Sequence, residues 1–502
     1  MDAHPSHVPV KGLRARHPLR WAALALAGVL ALLWLPEPAP EASPASGTPF
    51  LWRQDEVWGA LEARTQRARS RGCALVEPTI ARQFEALESS LGALATTRAL
   101  QPDSPALVTV ETDLFELAAD LAACPRQAAR LVALQSRLRE LVKDASRRWE
   151  LADRPTRERL YRLLYGSRMA VEEVLLQMEP SAAPTLARGR DEPSEAPSVE
   201  IHGVRVHSGD LLVSRGGAPT SALIARGNDF PGNFSHVALV HIDEAGRFRT
   251  IEAHIEVGVV VAGLERYEQD PKLRVMLLRP RADLAPGDFA HRAASRALAR
   301  ARAAHIPYDF AMDTNDPSAL FCSEVASQAY RSIGIELWEG QTRISSPSTA
   351  RWLAAFGVRH FVTHGPSDLE YDPKLVVVAE WRDARTLFQD HLDAAVVDAM
   401  LRGAAAGDEV GYDPAMLPVA RLLKAYSWVK NRFGTPGPIP EGMNATVALR
   451  VQWLRQHHRT LRTRLEQRAA AFERRHGYRP PYWELVRMAD EARAASAPGR
   501  GR

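Results

Sequence analysis

Three side chains far apart along the chain could together perform catalysis by a thiol. This chemistry needs a nucleophilic sulfur, a base and a polar group that orients the base. Cys322 lies in LFCSEVASQ, residues 320–328, at the predicted start of a helix. This placement would expose the sulfur at the surface and would give it backbone N–H groups, which favour a thiolate and can bind an oxyanion. A helix capped earlier, at residues 316–318, would place Cys322 in its second turn. A buried, unreactive cysteine is the alternative to a nucleophile.

His236 and Glu252 are the predicted base and orienting group. His236 follows Ser235 and opens an apolar run, SHVALVHI, that predicts a strand, and the turn DEAGR returns the chain as FRTIEAHIEV. If the hairpin folds about residues 244–245, Glu252 lies opposite His236 on one face. A slip of one residue would send Glu252 to the other face. His254 is a rival partner on the same strand, and Glu256 is a weaker one.

The chain contains three cysteines. Cys73 and Cys124 fall in one predicted helical segment, so they are the natural candidates for a disulfide outside the cytoplasm. That pairing leaves Cys322 as an unpaired, candidate reactive thiol. The alternative is that all three cysteines are reduced and buried.

The N-terminus carries a targeting signal. Four basic residues precede an uncharged run at 21–35, and a Pro/Ala/Ser-rich stretch follows the run. The run is shorter than the ~20 residues that comfortably span a bilayer, so an uncleaved anchor and a cleaved signal peptide both remain open, with a buried helix as a third interpretation. Because the basic end stays inside, we expect the rest of the chain in the periplasm or cell envelope, either anchored to the inner membrane by a transmembrane helix or released.

Composition and periodicity divide the remaining chain. Helical spacing of apolar residues alternates with a region of Val-, Ile- and Leu-rich runs that predict strands. The predicted segments are a signal-anchor or signal peptide at 1–36, a Pro/Ala-rich linker at 37–50, a helical domain at 51–182, a linker at 183–200, an α+β catalytic domain at 201–385 and a C-terminal helical region at 386–502.

One predicted helix in the C-terminal region has a single apolar stripe and many arginines. We expect this stripe to pack on the protein, although a basic amphipathic helix can also lie on an anionic membrane. Its members are Val447, Val451, Leu454, Leu461, Leu465 and Phe472. The net charge of only +4 gives no indication of a nucleic-acid partner. No HExxH motif or Walker-type loop occurs, so we expect neither a metal nor another cofactor.

Five short motifs, in this order, resemble those of the circularly permuted papain-like cysteine hydrolases, the YiiX/YaeF-like branch of the NlpC superfamily. They are Gly209-Asp210, Ser235-His236, Glu252-Ala253 with Gly258-Val259, Tyr308-Asp309 and Phe321-Cys322-Ser323-Glu324. The resemblance covers about residues 205–385, and the histidine precedes the cysteine as in the permuted branch. It implies an α+β fold in which an antiparallel sheet with packed helices is flanked by N- and C-terminal helical regions.

The resemblance also implies roles for individual residues. Cys322 is the expected nucleophile, His236 the base and Glu252 the third polar residue. The residues expected to bind substrate or line the site are Tyr308, Asp210, Ser235 and Ser323.

An attack of Cys322 on an amide or ester carbonyl, through a thioacyl-enzyme, is the reaction that this resemblance implies. Members of the wider superfamily cut peptidoglycan stem peptides or transfer acyl chains between lipids. We expect an exported hydrolase or acyltransferase for an acyl-lipid or small amide. A stem-peptide amidase and a catalytically idle wall- or lipid-binding scaffold are the alternatives. An apolar tunnel beside Cys322 would favour acyl chains, and an open polar cleft would favour peptides.

Overall fold

The computed structural model describes residues 27–28, 31–52, 57, 59–97, 99–433 and 435–495. Its strands are β1 (Leu186–Arg188), β2 (Ser198–Ile201), β3 (Val204–His207), β4 (Leu211–Gly216), β5 (His236–Ile242), β6 (Phe248–His254), β7 (Gly258–Ala262), β8 (Lys272–Pro280), β9 (Thr342–Arg343), β10 (Val362–Thr363) and β11 (Leu375–Arg382). Seven of them form one antiparallel sheet in the order β1–β11–β8–β4–β5–β6–β7. Helices surround this sheet, so the predicted α+β class with an antiparallel sheet is confirmed.

The helices lie before, within and after the strands. They are α1 (Gly59–Arg71), α2 (Cys73–Thr96), α3 (Pro105–Leu121), α4 (Ala128–Ser146), α5 (Arg154–Tyr161), α6 (Ser167–Leu175), α7 (Pro219–Arg226), α8 (Leu264–Gln269), α9 (Phe289–Ala303), α10 (Cys322–Arg331), α11 (Pro347–Ala354), α12 (Ala384–Ala405), α13 (Leu417–Arg432), α14 (Ala445–His476) and α15 (Tyr482–Ala494).

The N-terminal helices α1–α6 enclose an apolar core and carry the disulfide Cys73–Cys124. The two Cα atoms lie 5.2 Å apart, which is an ordinary separation for a disulfide. The same core includes Tyr371 before β11 and Leu387 on α12. The apolar core of the helical region therefore extends to the segment before β11 and to α12, while most strands of the sheet contribute to separate apolar clusters.

A buried network of charges also joins the helical region to the sheet. Arg168 on α6 makes two hydrogen bonds of 2.9 Å to the carboxylate of Glu370. Arg274 on β8 bonds to Glu172 and to Asp390, each at 2.8 Å. All five side chains are almost fully buried. Removing one partner of such a pair leaves a buried, uncompensated charge, which costs about 3–5 kcal/mol. The network therefore fixes how the helices sit on the sheet.

The two predicted linkers have more structure than their composition suggests. Leu186–Arg188 pairs with β11 as an edge strand of the main sheet, and Ser198–Ile201 pairs with β3. Within 37–50, the Ala45 amide donates to the Ile344 carbonyl, at 2.9 Å. Proline content predicts extended chain, but it does not reveal that the extended chain finds hydrogen-bonding partners.

Helix α14 packs its apolar stripe against the protein, as expected. The buried stripe residues are Val447, Leu454, Leu461, Leu465 and Phe472. Most of the uncharged run at 21–35 lies outside the described residues. Among the residues that are described, no helix is long and apolar enough to cross a membrane.

Candidate active site

Strand β5 presents His236 at an end of the sheet. Its other residues are buried on both faces of the sheet, which accounts for the apolar run that follows the histidine. His236 is the first residue of β5 and pairs with Ser214 near the end of β4. Its side chain is about one-fifth exposed. A polar side chain at this position can face a cleft while the strand behind it stays in the core.

The hairpin β5–β6 has a different register from the predicted one but keeps the predicted face. Leu239 pairs with Ile251, a register two residues away from the one that puts Glu252 opposite His236. Because side chains alternate with a period of two, a two-residue shift leaves His236 and Glu252 on the same face. In the observed register His254 lies opposite His236 across the hairpin, and their ring centroids are 5.2 Å apart.

Glu252 is the hydrogen-bonding partner of His236. Nε2 of His236 lies 2.7 Å from Oε2 of Glu252, and the Thr250 hydroxyl donates to Oε1 at 2.6 Å. Nε2 of His254 lies 3.4 Å from the same Oε2. Glu252 is buried, and burial raises the pKa of its carboxyl. The hydrogen bonds from His236 and His254 outweigh burial and hold that pKa well below its usual range. Glu252 therefore stays ionised.

Cys322 begins helix α10, as the preferred prediction placed it. Phe321 is the N-cap, and its backbone amide donates to the Glu324 carboxylate at 3.1 Å. Helix α10 packs on β5, and the Cys322 sulfur lies 3.9 Å from the Ser235 carbonyl oxygen. The residue is only 4% exposed. The expectation of a surface-exposed sulfur is therefore wrong, because the helix start is covered by packing and the sulfur faces an internal cavity.

Cys322 also lies close enough to the His236 imidazole to act on its pKa. Burial lowers the pKa of the imidazole, but the interactions with Cys322 and Glu252 outweigh burial and raise this pKa to about 10. Since Glu252 engages Nε2, Nδ1 is the ring nitrogen left for the sulfur. The sulfur therefore lies beside the imidazole and the first-turn N–H groups of α10, an arrangement typical of nucleophilic cysteines.

Only some of the other predicted site residues lie near Cys322, His236 and Glu252. Tyr308 lines the same cavity as Cys322. Ser235 offers its carbonyl oxygen to the sulfur, while its hydroxyl faces the β4 backbone. Ser323 is buried in the first turn of α10.

Asp210 does not reach the group. It precedes β4, four residues before Ser214, or about 13 Å along a strand. Its carboxylate binds Arg279 at 2.9 and 3.0 Å and accepts from the His207 amide at 2.8 Å. These contacts give Asp210 a structural role at the other end of the strand.

Sequence analysis missed the residues that hold the segment before His236. Asn233 accepts from Arg168 at 3.1 Å and donates to Asp390 at 3.3 Å. The Ser367 hydroxyl bonds both backbone groups of Phe234, each at 3.0 Å. The motif NFSH gave a weak hint of this role. The partners come from three distant segments and carried no sequence signal.

His236 and His254, together with Glu252, could also bind a metal ion. His236, Glu252 and His254 place donor atoms within 4.8 Å of one another. An ion on Nε2 of His236 would replace its hydrogen bond to Glu252 and would still leave Nδ1 toward Cys322. The residues therefore suit a divalent ion such as zinc, whereas the sequence predicted no metal.

A cavity of about 510 Å³ opens from Cys322. This volume is within the usual range for small-ligand sites. Its walls come from the loop that carries Tyr308, from α7 and α11, and from α13 and α14. Most of the lining side chains are apolar, including Ile224, Phe310, Leu353, Phe356, Val451 and Leu454. The C-terminal helices therefore close one side of a largely apolar chamber over the thiol.

No protein-family model matches the chain, and no curated protein matches it. The chemistry of the site therefore rests on its own geometry. A sulfur at a helix start, an imidazole beside it and a carboxylate hydrogen-bonded to the imidazole form an arrangement suited to nucleophilic attack on a carbonyl.

We expect Glu252→Gln to lower kcat/KM by about 10–100-fold, because a neutral amide still orients the imidazole but no longer stabilises its charge. The pKa of His236 should fall, so the alkaline limb of the pH–rate profile should move to lower pH. The measurement is kcat/KM against pH for both proteins.

Glu256→Gln is the matched control, since Glu256 is exposed at the rim of the cavity. Its profile should resemble that of the unmodified protein. An unshifted alkaline limb in Glu252→Gln would contradict the assigned role of Glu252.

Proposed function

We propose that this protein is a thiol-dependent acyl hydrolase or acyltransferase of the permuted papain-like type, acting on an ester or amide with a long apolar acyl group. The observation that carries this proposal is that Cys322, beside His236, faces a largely apolar cavity. The order of the residues along the chain, with the histidine strand before the cysteine helix, supports the family assignment. The disulfide Cys73–Cys124 supports an exported location.

The proposed reaction has two steps. The Cys322 sulfur attacks the carbonyl carbon, and N–H groups at the start of α10 stabilise the oxyanion. The bond to the leaving oxygen or nitrogen breaks, and the His236 imidazolium gives that atom its proton. Water or an acceptor hydroxyl then attacks the thioester, His236 takes the incoming proton, and the sulfur leaves as thiolate.

The apolar cavity lining favours an acyl chain over a peptidoglycan stem peptide. A stem peptide carries charged groups whose burial against apolar walls would be costly. An acyl chain instead gains free energy with each methylene transferred from water. The idle-scaffold alternative is tested by whether Cys322 becomes acylated at all.

We expect p-nitrophenyl esters to show kcat/KM rising with acyl length until the cavity is filled. Ala448→Phe, which reduces the space between α14 and the thiol, should reduce the rate with long chains but not with acetyl ester. Ala448 lines the cavity and is only partly buried, so the larger ring can be accommodated. The measurements are steady-state rates and intact mass of the acyl-enzyme.

The thioester should be located on Cys322 and should be released by hydroxylamine. If no acyl adduct forms with any ester or amide, the scaffold alternative is favoured. If the length of the acyl chain does not affect kcat/KM and stem peptides are cleaved, the protein is the stem-peptide amidase of the alternative proposal.

A further inference from the structure

Helix α13 presents a long, exposed apolar face. Eight of the fifteen large apolar side chains that are exposed in the described part of the chain lie between residues 416 and 433. Val419, Leu422, Tyr426, Val429 and Phe433 recur at steps of three and four, which makes one stripe along the helix. Trp428 and Phe433 are 64% and 81% exposed. Soluble proteins rarely leave so continuous an apolar surface uncovered.

The charges on the same helix all have one sign. Arg421, Lys424, Lys430 and Arg432 are the only charged residues of Leu417–Arg432, and the segment has no acidic residue. An apolar stripe flanked by basic side chains suits a bilayer surface with anionic headgroups. It does not suit a two-fold contact with a second copy, because such an interface would bring the two sets of basic residues together.

The chain that follows the uncharged N-terminal run is bound to this helix. The Arg421 guanidinium donates to the Leu35 carbonyl and lies 3.3 Å from the Glu37 carboxylate. Leu32, Trp34 and Leu35 are each more than half exposed. The end of the predicted membrane segment and the face of α13 therefore lie on the same side of the protein.

The cavity over Cys322 reaches the same helix. Ala420 and Leu423 both line the cavity, and Leu423 is also 41% exposed. Leu423 therefore belongs both to the cavity wall and to the outer apolar surface. An acyl chain leaving a bilayer at α13 would meet apolar side chains from the surface to the cavity.

We propose that the exposed face of α13 lies in the interface of an anionic lipid bilayer and holds the mouth of the cavity against the membrane. The occupant is the bilayer itself, and the N-terminal run brings α13 to it. This surface assignment does not depend on the reaction at Cys322.

The test uses two exposed valines of equal accessibility. Val429 on α13 is 45% exposed and Val108 on α3 is 43% exposed. Each is changed to cysteine in the full chain with Cys322→Ser, and the new thiol is labelled with an environment-sensitive fluorophore. The labelled proteins are reconstituted with phosphatidylcholine and phosphatidylglycerol whose acyl chains are brominated.

The label at position 429 should lose most of its fluorescence to the brominated chains, and the label at 108 should keep its fluorescence. Replacing the anionic lipid, or raising the salt concentration, should weaken the quenching at 429. Changing Lys430 and Arg432 to Gln should lower the affinity of the α13 face for the anionic bilayer by about fivefold for each positive charge removed.

Equal quenching at the two positions would overturn the proposal, as would no quenching at either one. A fluorescence change of the label at position 429 that depends on protein concentration and occurs without lipid would show that the face binds a second copy of the protein instead. Neither result affects the outcome of the acyl-enzyme experiment, because that experiment detects the thioester on Cys322.

Discussion

Cys322→Ala should lower turnover by about four orders of magnitude or more, since no other side chain can form the covalent intermediate. The alanine removes one buried sulfur atom, so we expect a loss of only about 1 kcal/mol in the free energy of unfolding. The measurements are single-turnover rates with an ester substrate and thermal unfolding of the same preparation.

Ser323→Ala is the matched control for this prediction. Ser323 is the next residue of α10 and is also buried, but its hydroxyl has no hydrogen-bonding partner among the described residues. Removing it should leave turnover close to that of the unmodified protein. If Cys322→Ala keeps its activity while it remains folded, the thiol is not the nucleophile.

His236→Asn should lower turnover by about three orders of magnitude or more, because the sulfur then has no imidazolium beside it and the leaving group has no proton donor. Alkylation of Cys322 by iodoacetamide should slow at neutral pH in the variant and recover only at alkaline pH. The measurement is the alkylation rate of Cys322 as a function of pH, with the disulfide Cys73–Cys124 kept intact.

The pH dependence of stability follows from the same imidazole. Its pKa in the folded protein is raised to about 10, above the ordinary value of 6.5. The stability contributed by protonated His236 is therefore fully present below about pH 6.5 and is lost as the pH rises through about 10. His236→Asn should remove this alkaline loss. The same loss in the variant would show that another group causes it.

The predicted site depended on local patterns, and these correctly placed His236 and Glu252 on one face of the sheet. Alternation with a period of two put His236 and Glu252 on one face, and that relation survived a register two residues different from the predicted one. The turn explains the difference: Gly246 adopts a φ of +73°, and the chain reverses over Asp243–Arg247. A positive φ favours glycine, but the sequence alone did not fix the number of turn residues.

Asp210 shows where a motif was insufficient. The pair Gly209-Asp210 precedes a strand that leads to the site, and the family resemblance placed Asp210 among the residues that bind substrate or line the site. In the folded chain its partner is Arg279 on the neighbouring strand β8. A motif next to a strand does not show at which end of that strand the cleft lies. The motif alone therefore could not place the Asp210 carboxylate relative to the thiol.

The sequence by itself indicated the α+β class, a helix start near Cys322 and a common face for His236 and Glu252, because helix starts and strand alternation are short-range properties. Only the tertiary structure decided that the thiol is buried, that α13 and α14 form walls of an apolar cavity over it, and that the outer face of α13 is exposed among the described residues. These features depend on packing between segments that are far apart along the chain, and an apolar stripe in one segment does not show which other segment it will contact.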